Sequence, residues 1–364
     1  MNGAAVSSKK NLVQGLIIFL IALLFSLTIG ESVFGKVVAQ WTLDRFIRWD
    51  TPTTEDHIVL IDITEEDYGQ LFGRKRPLDP ATIIELVRAA YAAGAKLIAV
   101  DISTADWPKD SDKQLSRVPS GAAVVWARGF YLDRQSGERR RKLEQLLGDV
   151  ETSTRECYGV PALGQEAGIV RYFYNGLKIG MSWEPSFVQQ IAYRSEHGSC
   201  LQPQYRDEEL HIINFSAQIR TESASTLLVQ SKQKDWGRRP EYADKILILG
   251  GSFHSGSDTA LTPVRAMSGL EIIGQALSST MGSKARRELG KGYSVLIDAG
   301  IGAALFFVGL WGRRPQLLIT VVFMLVLGYL SLYVFRQYYL FVSFIPFLLG
   351  VVAHACLGRL HGLS

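Results

Sequence analysis

PATIIELVRAAYAAGAKLIAVDI, residues Pro80–Ile102, decides the fold. Pro80–Ala93 repeats apolar residues at helical spacing, and Gly94 stops the pattern as a C-terminal cap does. Lys96–Ile102, KLIAVDI, then reads as a strand. Upstream, His57–Ile63, HIVLIDI, is a second short run of β-branched and aliphatic residues. Strand, helix, glycine, strand is a βαβ unit, and its crossover makes the two strands parallel.

The surrounding chain extends this unit. Ala122–Arg128, Glu209–Phe215 and Lys245–Gly251 read as further strands, and Pro185–Ser195 and Met267–Thr280 as helices. Residues 104–120 and 130–160 are polar and give no period. No fixed repeat divides the region, which reads as one α/β domain.

Composition sets bounds on function. The 364 residues are 47% apolar, with a formal net charge of +4. No basic run is interleaved with aromatics, so a nucleic-acid partner is not expected. Arg139-Arg140-Arg141-Lys142 sits beside acids and reads as a solvated helix face.

Apolar residues cluster at the two ends of the chain. Residues 11–30, NLVQGLIIFLIALLFSLTIG, carry no charge, and about 20 apolar residues cross a bilayer core. Lys9 and Lys10 precede them, which places the N-terminus in the cytoplasm. No small-x-small cleavage site follows Gly30, so an uncleaved anchor is favoured over a signal peptide. Residues 292–311, 315–335 and 338–357 read as three more spans, with Arg313 and Arg314 between the first two. The expected architecture is an α/β extracytoplasmic domain at 31–291, one N-terminal and three C-terminal transmembrane helices, and a short tail at 358–364. Both termini then face the cytoplasm of a bacterial inner membrane. Lys284, Arg286, Arg287 and Lys291 run against this orientation, on a rule that weakens beside long translocated domains. On this reading the chain is expected to have no cytoplasmic domain of its own.

Cys157 and Cys200 both fall in the outer region. A bridge between them would close a loop of about 44 residues and stabilise by about 4 kcal/mol. Two separate buried thiols are the alternative, and both readings stay open.

Polar residues gather where the strands end. Asp62 closes LID, Asp101 closes AVD, and Gly250, Gly251, Ser252, His254 and Asp258 follow LIL. Open α/β sheets bind ligands outside the carboxyl ends of their strands. If these strands are parallel neighbours, the residues share one rim. Carboxylates there suit a divalent cation, or an amine or hydroxyl ligand. They also suit plain capping of nearby helices and loops. Asp62, Asp101, Ser252, His254 and Asp258 are therefore the candidate ligand-binding residues.

Enzyme signatures are missing. Ser252, His254 and Asp258 lie within one short loop, whereas triads draw their members from distant segments. There is no G-x-S-x-G elbow and no Gly-Lys-Ser/Thr after the glycines. Histidine clusters and Cys-x-x-Cys are absent. No catalytic residue, metal or cofactor is assigned.

Taken in order, these stretches resemble the CHASE2 family of bacterial extracytoplasmic sensor domains. The likeness begins at Leu43-Asp44-Arg45-Phe46 and runs through Ile58–Phe72 and Arg76-Pro77 to Ala92–Ile102. Gly168-Ile169-Val170-Arg171 is similar to the family's DGvvR turn, with Ala167 where an aspartate is usual. Pro185-Ser186-Phe187 and Ile213-Asn214-Phe215 fit later motifs. KILILGGSFHSGSDTALTP, Lys245–Pro263, is the strongest match: Asp258 and Thr262-Pro263 stand at family positions. Gly269 is the glycine before the next helix, and Gln275 stands where histidine is common. Gly250, Gly251, Thr262, Pro263 and Gly269 are read as shaping a structural loop at the sheet's ligand-facing edge.

The resemblance implies a periplasmic sensor for a small-molecule or envelope signal. Family members usually continue into a cytoplasmic output domain, so a separate membrane or cytoplasmic partner is expected here, and a homodimer is reasonable. The alternative is a structural or assembly subunit of a membrane complex with the outer domain as scaffold. Enzymatic work at the acid-lined rim is a third reading.

Overall fold

The computed structural model describes residues 32–108, 111–133, 140–143, 156–179, 182–201, 209–253, 259–281, 285–290, 293, 300 and 313–342. The chain divides into two compact units: Thr51–Ala285, and Met1–Asp50 together with Arg286–Ser364.

The frame of the first unit is a parallel sheet. The strands are β1 (Thr53–Ile63), β2 (Leu97–Val100), β3 (Val124–Ala127), β4 (Glu156–Gly159), β8 (Ala217–Ser223) and β9 (Ile246–Gly251). Their order is β8-β1-β9-β2-β3-β4, every pair parallel. The central strands are apolar runs buried on both faces, as all-parallel sheets require. Ile246, Leu247, Ile248 and Leu249 of β9 are all buried, each side chain contributing about 1.5–3 kcal/mol.

Helices cover both faces. On one lie α2 (Glu65–Phe72), α3 (Pro80–Ala92) and α5 (Ala224–Ser231). Asp79 caps α3 by accepting from the Thr82 amide at 3.0 Å, and Pro80 takes the first turn, where its missing N–H costs nothing. Ile83, Ile84, Val87 and Ala90 of α3 pack on Val59, Ile61, Val100 and Leu249. On the other face lie α4 (Phe187–His197) and α6 (Gly269–Thr280). Gln275 of α6 holds the edge strand: its Oε1 accepts from the Ala217 amide at 3.1 Å and its Nε2 donates to the Ala217 carbonyl at 2.8 Å.

A second, mixed sheet has the order β7 (Leu210–Ile212), β6 (Ile169–Tyr174), β10 (Thr259–Leu261) and β11 (Ala266–Ser268), with β5 (Leu163–Glu166) also paired to β6. The run around ELHIINF therefore belongs here, antiparallel to β6, and not to the parallel sheet.

In the other unit, α1 (Val33–Arg48) ends at Trp49 and α7 spans Arg313–Gln337. Phe46 packs on Phe335 and Phe341, with ring centroids 5.5 and 5.9 Å apart. Arg286 and Asp50 form a buried ion pair at 2.6 Å.

The expected fold class needs correction. The α/β architecture is present, but the four transmembrane helices are not supported: among the described residues, no helix is long and apolar enough to cross a membrane. The expected spans 11–30, most of 292–311, and 338–357 beyond residue 342 lie outside the described residues. The remaining one, 315–335, falls in α7. Toward its C-terminal end α7 spends apolar surface inside the protein, where Phe335 is buried against Phe46 and Phe341. Ser331 is buried too, donating to the Val342 carbonyl at 2.9 Å.

Candidate functional site

Parallel register aligns Asp62 with Gly250 and Leu249 with Val100. The carboxyl ends of β1, β9 and β2 thus form one edge, which carries Asp62, Gly250 and Asp101. The two glycines are required by close approach. A Cβ on Gly250 would lie 3.1 Å from Leu270 and 3.4 Å from Asp101, and one on Gly251 would collide with the Phe253 ring. Asp101 therefore sits beside Gly250, one strand removed from Asp62, and outside the lining of the cavity described next.

Beyond β9 the chain turns back over Asp62. The Ser252 amide donates to the Ile63 carbonyl at 3.2 Å, and its hydroxyl donates to Asp62 Oδ2 at 2.7 Å. Asp62 Oδ1 is buried and has no hydrogen-bond partner among the described residues. A cavity of about 260 Å³ opens here, with Leu60, Met267 and Leu270 on its apolar side and Asp62, Ser252 and Thr259 on its polar side.

The start of α6 closes the cavity. Ser268 and Glu271 form a capping box: the Glu271 amide donates to Ser268 Oγ at 3.2 Å, and the Ser268 amide donates to Glu271 Oε2 at 3.1 Å. Arg265 then grips both Glu271 oxygens, at 2.7 and 3.2 Å. Burial opposes ionisation of Glu271, but Arg265 and the Ser268 amide prevail and hold it below the usual carboxylate range. Thr262 fixes the β10–β11 turn. Its hydroxyl donates to the Arg265 carbonyl at 2.6 Å and accepts from the Val264 and Arg265 amides. Pro263 stands inside that turn, and Gly269 is buried at the first position of α6.

Asp62 behaves differently from Glu271. Burial pushes its pKa up; the Ser252 bonds oppose this, while Asp67 and Glu271 add to it through like charge. The folded state therefore holds this proton more tightly than the unfolded chain, so stability falls as pH rises from the unfolded value through the folded one. Above that window the ionised carboxylate is a standing cost. Asp62→Asn is expected to raise the melting temperature at neutral pH, with the gain shrinking as pH drops below the ordinary carboxylate range. A gain equal at pH 3 and pH 7 would contradict this account.

Of the residues singled out by sequence, the fold brings Asp62 and Ser252 into direct contact. His254 and Asp258 lie outside the described residues. Cys157 and Cys200 are joined as a disulfide. Sequence reasoning missed Glu271 and Thr259 as cavity residues, and Arg265 as the partner of Glu271. Ser268-x-x-Glu271 before an apolar run carries a capping-box signal that places Glu271 at a helix start. It also missed the stack beside Ser252, where Phe253 lies on Tyr68 at 4.4 Å and Arg76 over Phe253 at 5.3 Å.

The cavity lies at the carboxyl edge of a parallel sheet, the edge at which open α/β sheets bind ligands. The CHASE2 domain profile matches residues 16–313, most of the chain. The chain belongs to the CHASE2 domain family, as its sequence motifs indicated. CHASE2 domains are extracellular sensor domains, and a sensory role for this chain is consistent with that membership. No curated protein and no solved structure matches the chain.

Proposed function

We propose that this chain is a sensor subunit that detects a small polar solute on the outer side of a bacterial inner membrane and relays its occupancy to a separate protein. The observation that carries the reading is Asp62: a desolvated carboxylate at the edge where such sheets bind ligands, with one oxygen held by Ser252 and the other unpartnered among the described residues. Retaining a group that opposes folding is a common mark of a binding site.

Placement outside the cytoplasm is supported by the Cys157–Cys200 disulfide, since such bonds persist in oxidising compartments. Contact with lipid or a partner is supported by exposed apolar residues on the flanking helices: Val33, Phe34 and Trp41 on α1, and Leu325 and Tyr329 on α7. The relay has a short covalent path. Helix α6 begins at the cavity and ends at Thr280, and Arg286 of the other unit follows within a few residues.

The test is gentle-detergent purification of the tagged full-length chain with mass spectrometry of its companions. A stoichiometric companion bearing a catalytic domain, whose activity differs between wild type and Asp62→Asn, is the expected result. A transport or envelope component unaffected by Asp62→Asn would favour an assembly role instead. Recovery of the chain alone, in monomeric form, would remove the relay.

A further inference from the structure

We propose that the cavity beside Asp62 takes a small primary ammonium group carried on a short apolar chain. This rests on the reading of the cavity as the sensory site and adds the chemistry of what it senses.

The argument starts from the balance of charge and hydrogen bonds at the cavity. Two carboxylates reach it, and they are not equivalent. Both oxygens of Glu271 are occupied, by the Arg265 guanidinium and the Ser268 amide. Glu271 and Arg265 thus neutralise one another. Asp62 has no cation against it among the described residues; there it is held by Ser252 alone, whose hydroxyl donates to Oδ2. The charges around it are of its own sign: Asp67 on α2 and Glu271 on α6 both disfavour its ionisation. Asp101, which follows β2, stands beside Gly250. Arg265, which precedes the lining residues Ala266–Ser268, is committed to Glu271.

This arrangement selects among ligands. An anion would meet an uncompensated carboxylate, with no cationic side chain among the described lining residues to hold it. A guanidinium binds carboxylate through a two-pronged fork that needs both oxygens, and Ser252 already holds Oδ2. A divalent cation such as Ca²⁺ asks for about six to eight oxygen ligands, and one uncommitted carboxylate falls far short. An ammonium is a compact point charge with three donors and no acceptor. Asp62 Oδ1 supplies the counter-charge, and the hydroxyl oxygens of Ser252 and Thr259 supply further acceptors in the same lining. Ser252 donates its proton to Asp62, which leaves its oxygen free to accept. Leu60, Met267 and Leu270 supply an apolar part of the lining, suited to methylene groups.

Binding then depends on ionised Asp62. As pH falls and Asp62 takes up a proton, the counter-charge disappears and affinity falls with it. Glu271 stays ionised further down the pH scale because Arg265 holds it, so the loss tracks Asp62.

The experiment uses the full-length chain in detergent with the Met267 methyl group labelled for NMR. The probes are n-butylammonium chloride, 1-butanol and sodium butyrate. Butylammonium is expected to shift the Met267 signal saturably, with affinity at least about tenfold above butanol and butyrate, the size of one charge-assisted hydrogen bond. Asp62→Asn, which is expected to fold and to melt higher, should weaken butylammonium by at least about tenfold and leave butanol unchanged. Lowering the pH should weaken only butylammonium, and only in wild type. Equal butylammonium affinity in wild type and Asp62→Asn overturns the ammonium assignment. A saturable response to butanol or butyrate as strong as to butylammonium also overturns it while leaving the cavity a ligand site. No response to any probe overturns both the assignment and the reading of the cavity as the sensory site.

Discussion

Asp50→Ala is expected to loosen the α1 segment by about 3–5 kcal/mol, the cost of leaving one member of a buried ion pair without its partner. Asp50 and Arg286 meet at 2.6 Å with side chains 8% and 3% exposed. The pair has little to fall back on. Arg286 Nε and Nη1 have no hydrogen-bond partner among the described residues. The guanidinium otherwise rests on the Phe335 ring at 4.4 Å, a contact worth about 0.5–2 kcal/mol. Removing Asp50 would leave a full charge facing an aromatic surface. The pair also stands where the chain changes hands: Asp50 follows α1 and precedes the α/β unit, and Arg286 is the first residue after that unit. The Arg336 guanidinium adds a hydrogen bond to the Trp49 carbonyl at the same place. Hydrogen exchange over Val33–Arg48 is the measurement, because a global unfolding free energy is poorly defined for two units. Protection should fall by roughly a hundredfold or more in Asp50→Ala. The double variant Asp50→Leu/Arg286→Met should recover much of it, since a well-packed apolar pair often equals or exceeds a buried ionic one. Protection unchanged within about threefold in Asp50→Ala would show that the pair does not hold this junction.

The parallel sheet was legible because of how it is buried. LIDI, AVD and ILIL are short continuous apolar runs, the pattern of strands covered on both faces. The helix between the first two carries its own start and stop, Asp79-Pro80 and Gly94. Strands without that covering were not legible. Residues Ala217–Ser223, AQIRTES, form the edge strand β8, mostly half-buried or exposed, and their polar content reads as loop. ECYG, β4, lies in the polar stretch 130–160 and is a strand because of its pairing with β3. The run containing Leu210–Ile212 was legible as a strand but not as a member of the second sheet, since an apolar run does not specify its neighbour. The site shows the same division. Asp62 and Ser252 could be placed together because each stands at the end of a parallel strand. The Arg265–Glu271 pair depends on a hairpin that the sequence marks only through Thr262-Pro263. The Asp50–Arg286 contact spans 236 residues, and a lone charge leaves no periodic trace.

Cys157→Ala/Cys200→Ala is expected to destabilise the α/β unit by about 4 kcal/mol, from the loop-closure entropy returned to the unfolded chain. The bridge joins residues 43 apart in sequence. That interval carries β5, β6, a short hairpin and α4, so releasing it frees a large part of the outer layer. Cys157 is buried in β4, at the far edge of the parallel sheet. Among the described residues β3 is the only strand paired to β4 in that sheet, so β4 depends on what lies behind it. Close packing supplies part of that support: a Cβ on Gly159 would stand 2.6 Å from the Phe187 backbone of α4. The disulfide fixes the other end of α4, where Cys200 follows the helix by three residues and Arg194 donates to its sulfur at 3.6 Å. Loss of the bridge should therefore be felt first at the β3–β4 edge, and least at Asp62 four strands away. Denaturant titration with and without reductant measures the size of the effect. Exchange in β4 and α4 against exchange in β1 measures where it acts. An equal loss of protection in β1 at low denaturant would mean that the unit opens only as a whole. A loss confined to β4 and α4 would leave the Asp62 cavity intact in the reduced protein, and ligand binding there would be insensitive to the redox state of the compartment.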